Sequence, residues 1–172
     1  MNQHTTIPSI FLVTGFLGSG KTRFLQYLLE SPVAGSRNAV IVNDFGDVIY
    51  DSFLLKKHAV NLIELPGGCL CCSALDDFRE ALSQVAEYSP EHIFIEATGL
   101  ADAASVRADL GFMGFPVDAV FCVVDALHWR QSQQQLPIFD DQLREADYLL
   151  VSKTDLVSRE DIEYLREYLA SI

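Results

Sequence analysis

Gly15-Phe16-Leu17-Gly18-Ser19-Gly20-Lys21-Thr22 satisfies the pattern G-x-x-x-x-G-K-[ST] at every fixed position. That pattern is a phosphate-binding loop. Glycine at Gly15, Gly18 and Gly20 lets the chain wrap tightly, with N–H groups aimed at phosphate oxygens. Ser19 belongs to the same cradle. Lys21 brings a point charge to the β/γ-phosphates and Thr22 a hydroxyl for Mg²⁺. Arg23 opens the helix that follows, whose positive dipole end favours anions.

A second constellation is Ile93-Phe94-Ile95-Glu96-Ala97-Thr98-Gly99. It reads as an apolar strand ending in an acid, with Gly three positions on. Phosphate-loop NTPases use a carboxylate there for the Mg²⁺ shell and a Gly N–H to sense the γ-phosphate. Glu96 and Gly99 are the candidates.

Ser152-Lys153-Thr154-Asp155 resembles the N-K-x-D element of GTPases, with Ser152 in place of Asn. An Asp in that element accepts from guanine N1–H and the exocyclic amine, which adenine cannot satisfy. GTP is therefore favoured over ATP. The competing reading makes Ser152 or Thr154 a helix cap, with Asp155 in the first turn.

Cys69-Leu70-Cys71-Cys72 follows Pro66-Gly67-Gly68. Thiolates bind Zn²⁺, Cu⁺ and related ions. In extended backbone residues 69 and 71 face the same way and 72 does not, so two or three sulfurs could converge on one ion. Asp44 and Asp47, in Val42-Asn43-Asp44-Phe45-Gly46-Asp47, are candidates to complete it. They could equally order an attacking water, or be solvated loop residues. Cys69 and Cys72 also form C-x-x-C, which leaves a redox reading open.

The elements needed to position these groups are visible in the hydrophobic pattern. Strands are expected at 9–14, 38–43, 60–65, 92–97, 117–124 and 147–152. Helices are expected at 23–30, 74–88, 101–110, 138–145 and 159–170, with Ser73 capping the second. Gln131–Gln135 (QSQQQ) reads as a surface loop. Apolar strands alternating with helices imply an α/β fold, a P-loop NTPase with a mostly parallel sheet and helices on both faces. In such a sheet the strand-to-helix loops emerge at one edge, where ligands sit. The phosphate loop and the segments at 44, 69–72, after 96 and after 152 should share that rim.

The chain has 172 residues, one domain's worth, and 49% of them are hydrophobic. Its net charge of −12 argues against nucleic acid as the main partner. Runs such as Ala119–Val124 are too short to cross a membrane. Met1–Pro8 lacks a signal-peptide pattern. A soluble, cytoplasmic protein is expected. Cys122, alone in a strand, reads as a small buried hydrophobe. His4, His58, His92 and His128 are scattered and read as ordinary surface or core residues.

Taken together, GFLGSGKT (15–22), VNDFGDV (42–48), LPGGCLCC (65–72), IEATGLAD (95–102), VVDA (123–126) and SKTDL (152–156) resemble the CobW-type metal-chaperone GTPases. The resemblance implies GTP/GDP, Mg²⁺ and Zn²⁺ or another transition metal as ligands. It implies metal delivery to a client metalloprotein, driven by GTP binding and hydrolysis. It puts Cys69, Cys71, Cys72 and an acid, Asp44 or Asp47, in the metal site. Lys21, Glu96 and Asp47 are the catalytic candidates, and a homodimer is possible. Members of the family continue into a further strand and a separate C-terminal domain, so residues 1–172 are expected to be the GTPase domain alone. Leu100 stands where Ras-type GTPases carry a water-orienting Gln, so slow intrinsic hydrolysis is expected. Two rival readings remain: an ATP-dependent small-molecule kinase, and a metal or redox module with a vestigial nucleotide site. No Arg cluster supplies the lid a kinase needs.

Overall fold

Ser9–Thr14 forms strand β1, with Ile10, Leu12 and Val13 fully buried. It belongs to a computed structural model that describes residues 8–31, 37–42, 61–65, 74–135 and 137–172. The other strands are β2 (Asn38–Val42), β3 (Asn61–Glu64), β4 (His92–Glu96), β5 (Ala119–Asp125) and β6 (Tyr148–Ser152). They form one sheet in the order β3-β2-β4-β1-β5-β6. Every pairing among them is parallel. Parallel strands covered on both faces need continuous apolar runs, which is what the sequence provides.

The helices are α1 (Lys21–Glu30), α2 (Ala74–Glu87), α3 (Ala103–Phe112), α4 (Trp129–Gln135), α5 (Ile138–Arg144) and α6 (Arg159–Ala170). Alternation along the strands sorts their side chains between the two faces. On one face Val13, Phe94 and Val123 pack against Leu25 and Leu29 of α1. On the other, Leu12, Ile93 and Ile95 meet Phe78 and Leu82 of α2 and Val106 and Leu110 of α3. Cys122 and Val124 continue that second face against Trp129, Phe139 and Leu165. Helices therefore cover both faces, as expected.

The chain leaves β1 toward β2 and β3 on one side and later returns to build β5 and β6 on the other. The C-terminal end of β1 lies at this switch of direction, where open α/β sheets bind ligands. The phosphate loop starts there.

Four expectations change. Strand β5 runs Ala119–Asp125 rather than 117–124. Helix α1 begins at Lys21, so Lys21 and Thr22 already lie in its first turn. Gly20 makes this possible: it enters the left-handed region at φ 99° and its carbonyl accepts the Phe24 N–H. Helix α3 begins at Ala103, where the Asp102 carboxylate accepts the Ala104 and Ser105 N–H groups. Gln131–Gln135 is helical, within α4. Trp129 (4% exposed) and Ser132 (6%) turn the same side inward, and glutamine resists a helix little. The expected cap Ser73 lies outside the described residues.

At the opposite end of the sheet, Asp118 accepts the Ile10 N–H and Asp147 accepts the Val120 N–H. Part of the acid excess thus closes strand ends. Among the described residues, no helix is long and apolar enough to cross a membrane.

Candidate nucleotide-binding site

The phosphate loop is fixed by close packing on neighbouring strand ends. Gly15 has φ 127°, and a Cβ there would sit 2.3 Å from the Val123 carbonyl oxygen of β5. A Cβ on Gly99 would lie 2.5 Å from the Leu17 nitrogen. The segment after β4 therefore rests directly on the loop's backbone, and only glycine fits at either point.

Lys21 is 3% exposed, and its Nζ lies 3.5 Å from the Phe16 carbonyl oxygen across the loop. Glu96 is fully buried at the end of β4, in register with Val13 of β1 and Val42 of β2. Alternation directs it to the face that α1 covers. There the Thr22 hydroxyl donates to Glu96 Oε1 at 2.8 Å. A hydroxyl and a carboxylate held together in this way are hard oxygen donors suited to Mg²⁺.

Ser152 ends β6, and its hydroxyl lies 2.6 Å from the Ser19 carbonyl oxygen and 3.3 Å from that of Val124. It ties β6 to the phosphate loop and does not cap a helix. Thr154–Leu156 is a short 3-10 helix without a side-chain cap, so neither Ser152 nor Thr154 caps it, although Asp155 does lie in its first turn. Asp155 is exposed within it. Beside it opens a cleft of about 700 Å³, lined by Gly20, Arg23, Tyr27, Ser152, Lys153 and Asp155 among others. The Arg23 guanidinium lies over the Tyr27 ring, 4.7 Å from its centroid, and donates to Gln26 Oε1.

Lys153 adopts φ 55°. Its ammonium donates to Asp125 Oδ2 at 2.7 Å. Asp125, at the end of β5, also accepts the Leu127 N–H and contacts His128 Nδ1 at 2.8 Å. Burial pushes the Asp125 carboxyl up, but hydrogen bonds from Lys153, His128 and the Leu127 N–H outweigh it and leave the group below its ordinary range.

Two positioning groups escaped the sequence reading. Asp125 was visible only as part of VVDA. Gln142, on α5 and 1% exposed, donates through Nε2 to the carbonyls of Gly99 (3.2 Å) and Ala101 (2.9 Å). It holds the Gly99 segment through those two carbonyls. No local pattern marks a glutamine for that role.

Gly15, Gly18, Ser19, Gly20, Lys21, Thr22, Glu96, Gly99, Ser152 and Lys153 are gathered at the C-terminal rim. Asp44, Asp47, Cys69, Cys71 and Cys72 lie outside the described residues, as do His4 and His58. His92 meets Asn38 at 3.3 Å, away from the rim. Cys122 is 2% exposed, as expected of a buried hydrophobe, and burial pushes its thiol up to about 11.

The profile of the CobW/HypB/UreG nucleotide-binding domain matches residues 9–172. The chain belongs to this family. The CobW/HypB/UreG chain is 33% identical over 175 residues to the zinc chaperone YjiA of Escherichia coli (strain K12), covering 95% of this chain and 54% of that protein. It is 32% identical to the zinc chaperone CobW of Sinorhizobium sp, over 93% of this chain and 54% of that protein. It spans about half the length of the curated relatives it matches.

Its fold superposes on the Zn(II)-bound YjiA GTPase of E. coli with TM-score 0.68 at 24% identity, over 96% of this chain and 54% of that one. The hydrogenase maturation factor HypB of Archaeoglobus fulgidus gives TM-score 0.69 at 15% identity, over 94% and 76%. At these identities the structures establish the shared phosphate-loop fold.

Proposed function

We propose that this chain is the nucleotide-binding unit of a Mg²⁺-dependent GTPase that couples GTP binding and hydrolysis to binding and delivery of a transition metal. The metal class is zinc, as in the relatives named zinc chaperones. The observation that carries the reading is the Thr22–Glu96 contact of 2.8 Å beside the buried Lys21. It joins a phosphate cradle to a pair of hard oxygens.

In this reading the Gly15–Thr22 backbone and Lys21 hold the phosphates. Thr22 and Glu96 would hold Mg²⁺, which when bound neutralises charge building on the phosphate oxygens. Gly99 presents its N–H toward the γ-phosphate, from a segment seated on Leu17. Arg23, Ser152, Lys153 and Asp155 border the space offered to guanine. Cys69, Cys71 and Cys72, with Asp44 or Asp47, take the cargo ion. Asp47 serves either that ion or the attacking water. Leu100 has no hydrogen-bonding side chain to orient water, so intrinsic hydrolysis is slow. The recipient is a client metalloprotein, the setting is the cytoplasm, and a homodimer is the proposed assembly.

The test is nucleotide preference with turnover. GDP and GTP should displace a fluorescent guanine nucleotide, and ATP should not. Phosphate release from GTP should be slow, Mg²⁺-dependent and absent in Lys21→Ala. Tight ATP binding with transfer to an acceptor would overturn the proposal.

A further inference from the structure

Among the described residues, the rim's cleft of about 700 Å³ beside Asp155 has a smaller neighbour of about 290 Å³. The smaller is lined by Phe16, Leu17 and Gly18 of the phosphate loop and by Asp125, His128 and Trp129. Lys153 and Val123 line both. Lys153 is thus part of the partition between them, and its ammonium is engaged in the smaller hollow. Asp125 borders only the smaller one.

We propose that Asp125 is a positioning residue for guanine-nucleotide binding, anchoring the Lys153 ammonium behind the phosphate loop so that the nucleotide cleft receives the lysine's methylene stem. The inference rests on the nucleotide reading of the cleft. Three observations support it. The contact is short, 2.7 Å, with the Asp125 side chain 11% exposed and that of Lys153 33% exposed. Lys153 takes φ 55°, a conformation that costs a non-glycine residue and that the surrounding contacts must hold. The carboxylate is itself fixed, its Oδ1 by the Leu127 N–H and its Oδ2 also by His128 Nδ1. Without Asp125, a partly buried ammonium loses its counter-charge, and it can leave the partition for solvent or for the cleft.

This makes an unusual demand on the two side chains. If Asp125 matters only because of the lysine's charge, removing that charge must remove the need for Asp125. The experiment is a four-member set: wild type, Asp125→Asn, Lys153→Met and the double variant. The readout is GDP affinity by displacement of a fluorescent guanine nucleotide, with a melting curve for each protein. Asp125→Asn should weaken GDP binding about tenfold, the worth of one charge-assisted hydrogen bond. Lys153→Met keeps an apolar stem of similar length but removes the charge, and whatever GDP affinity it shows is the reference for the double variant. The double variant should match Lys153→Met, so that the second substitution suppresses the first. A purely structural Asp125 gives losses that multiply in the double variant, and that result overturns the proposal. So does an Asp125→Asn protein with unchanged affinity. If Asp125→Asn fails to fold, the double variant decides: a folded double variant with the GDP affinity of Lys153→Met supports the anchor, and one that also fails to fold or binds more weakly than Lys153→Met overturns it. A wild-type chain that binds no guanine nucleotide overturns the functional reading first, and this inference with it.

Discussion

The Thr22 hydroxyl donates to the Glu96 carboxylate at 2.8 Å, joining the first turn of α1 to the end of β4 across two motifs separated by 74 positions. β4 lies beside β1 in the sheet, and register sets Glu96 level with Val13, two residues before the loop's first glycine. Alternation then turns the acid toward α1. Removing the charge should uncouple nucleotide binding from Mg²⁺. In Glu96→Gln, the ratio of GDP affinities with and without Mg²⁺ should fall by about tenfold or more, the usual loss when a metal site loses a supporting carboxylate. An unchanged ratio would remove Glu96 from the Mg²⁺ site.

Gly99 and Gly111 offer a paired test of close approach. A methyl on Gly99 would meet the Leu17 backbone at 2.5 Å, whereas one on Gly111 meets nothing within 4 Å. Gly99→Ala should cost about 1–3 kcal/mol through forced backbone shifts and weaken binding of a GTP analogue. Gly111→Ala lies inside α3 and should be stabilising by about 0.5–1 kcal/mol. Chemical denaturation of the two variants checks both signs.

Much of this site was legible in the sequence, and the reason is physical. A loop that wraps phosphate needs glycine at fixed spacing, a cation and a hydroxyl, so local chemistry alone announces it. The strands were legible because burial on both faces demands unbroken apolar runs. What escaped was contact made through the fold. The Ser152 hydroxyl reaches Ser19, 133 positions away, so a residue read as a base contact is also a tie between β6 and the loop. Gln142 and Asp125 act on segments that only packing brings near. The stretch QSQQQ has no apolar period of its own, and it is helical because Trp129, just ahead of it, anchors that turn in the core.

Gln142 should therefore matter more than its neutral chemistry suggests. Its amide serves the Gly99 and Ala101 carbonyls in a buried site. Gln142→Leu keeps the bulk but removes the donor. A loss of about 1–3 kcal/mol is expected in urea unfolding, from carbonyls left unsatisfied. A neutral effect would mean that water or another donor replaces the amide.

The alkaline limb of stability should carry two marked groups. The Cys122 thiol is raised from 9.0 to about 11 by burial. The Tyr168 phenol is raised from 10.0 to about 12 by burial and by its hydrogen bond to Asp140. Both pKa values are higher in the folded state, so the folded protein holds these protons longer than the unfolded chain. Their contribution is complete below about pH 9 and is lost as pH rises toward 12. Urea midpoints should decline over that range. Cys122→Val should flatten the earlier part of the decline, and Tyr168→Phe the later part.

The central claim is that nucleotide state and cargo metal are linked, and one titration addresses it directly. Zn²⁺ affinity is measured by competition under reducing conditions, with Mg²⁺ and GDP and then with Mg²⁺ and a non-hydrolysable GTP analogue. Coupling requires two different affinities, and a ratio of about 5–150 is the usual size of such a linkage. The difference should vanish in a Cys69/Cys71/Cys72→Ala variant. Equal affinities in the wild-type chain would contradict the account, leaving a guanine-nucleotide site and a metal site with no energetic connection.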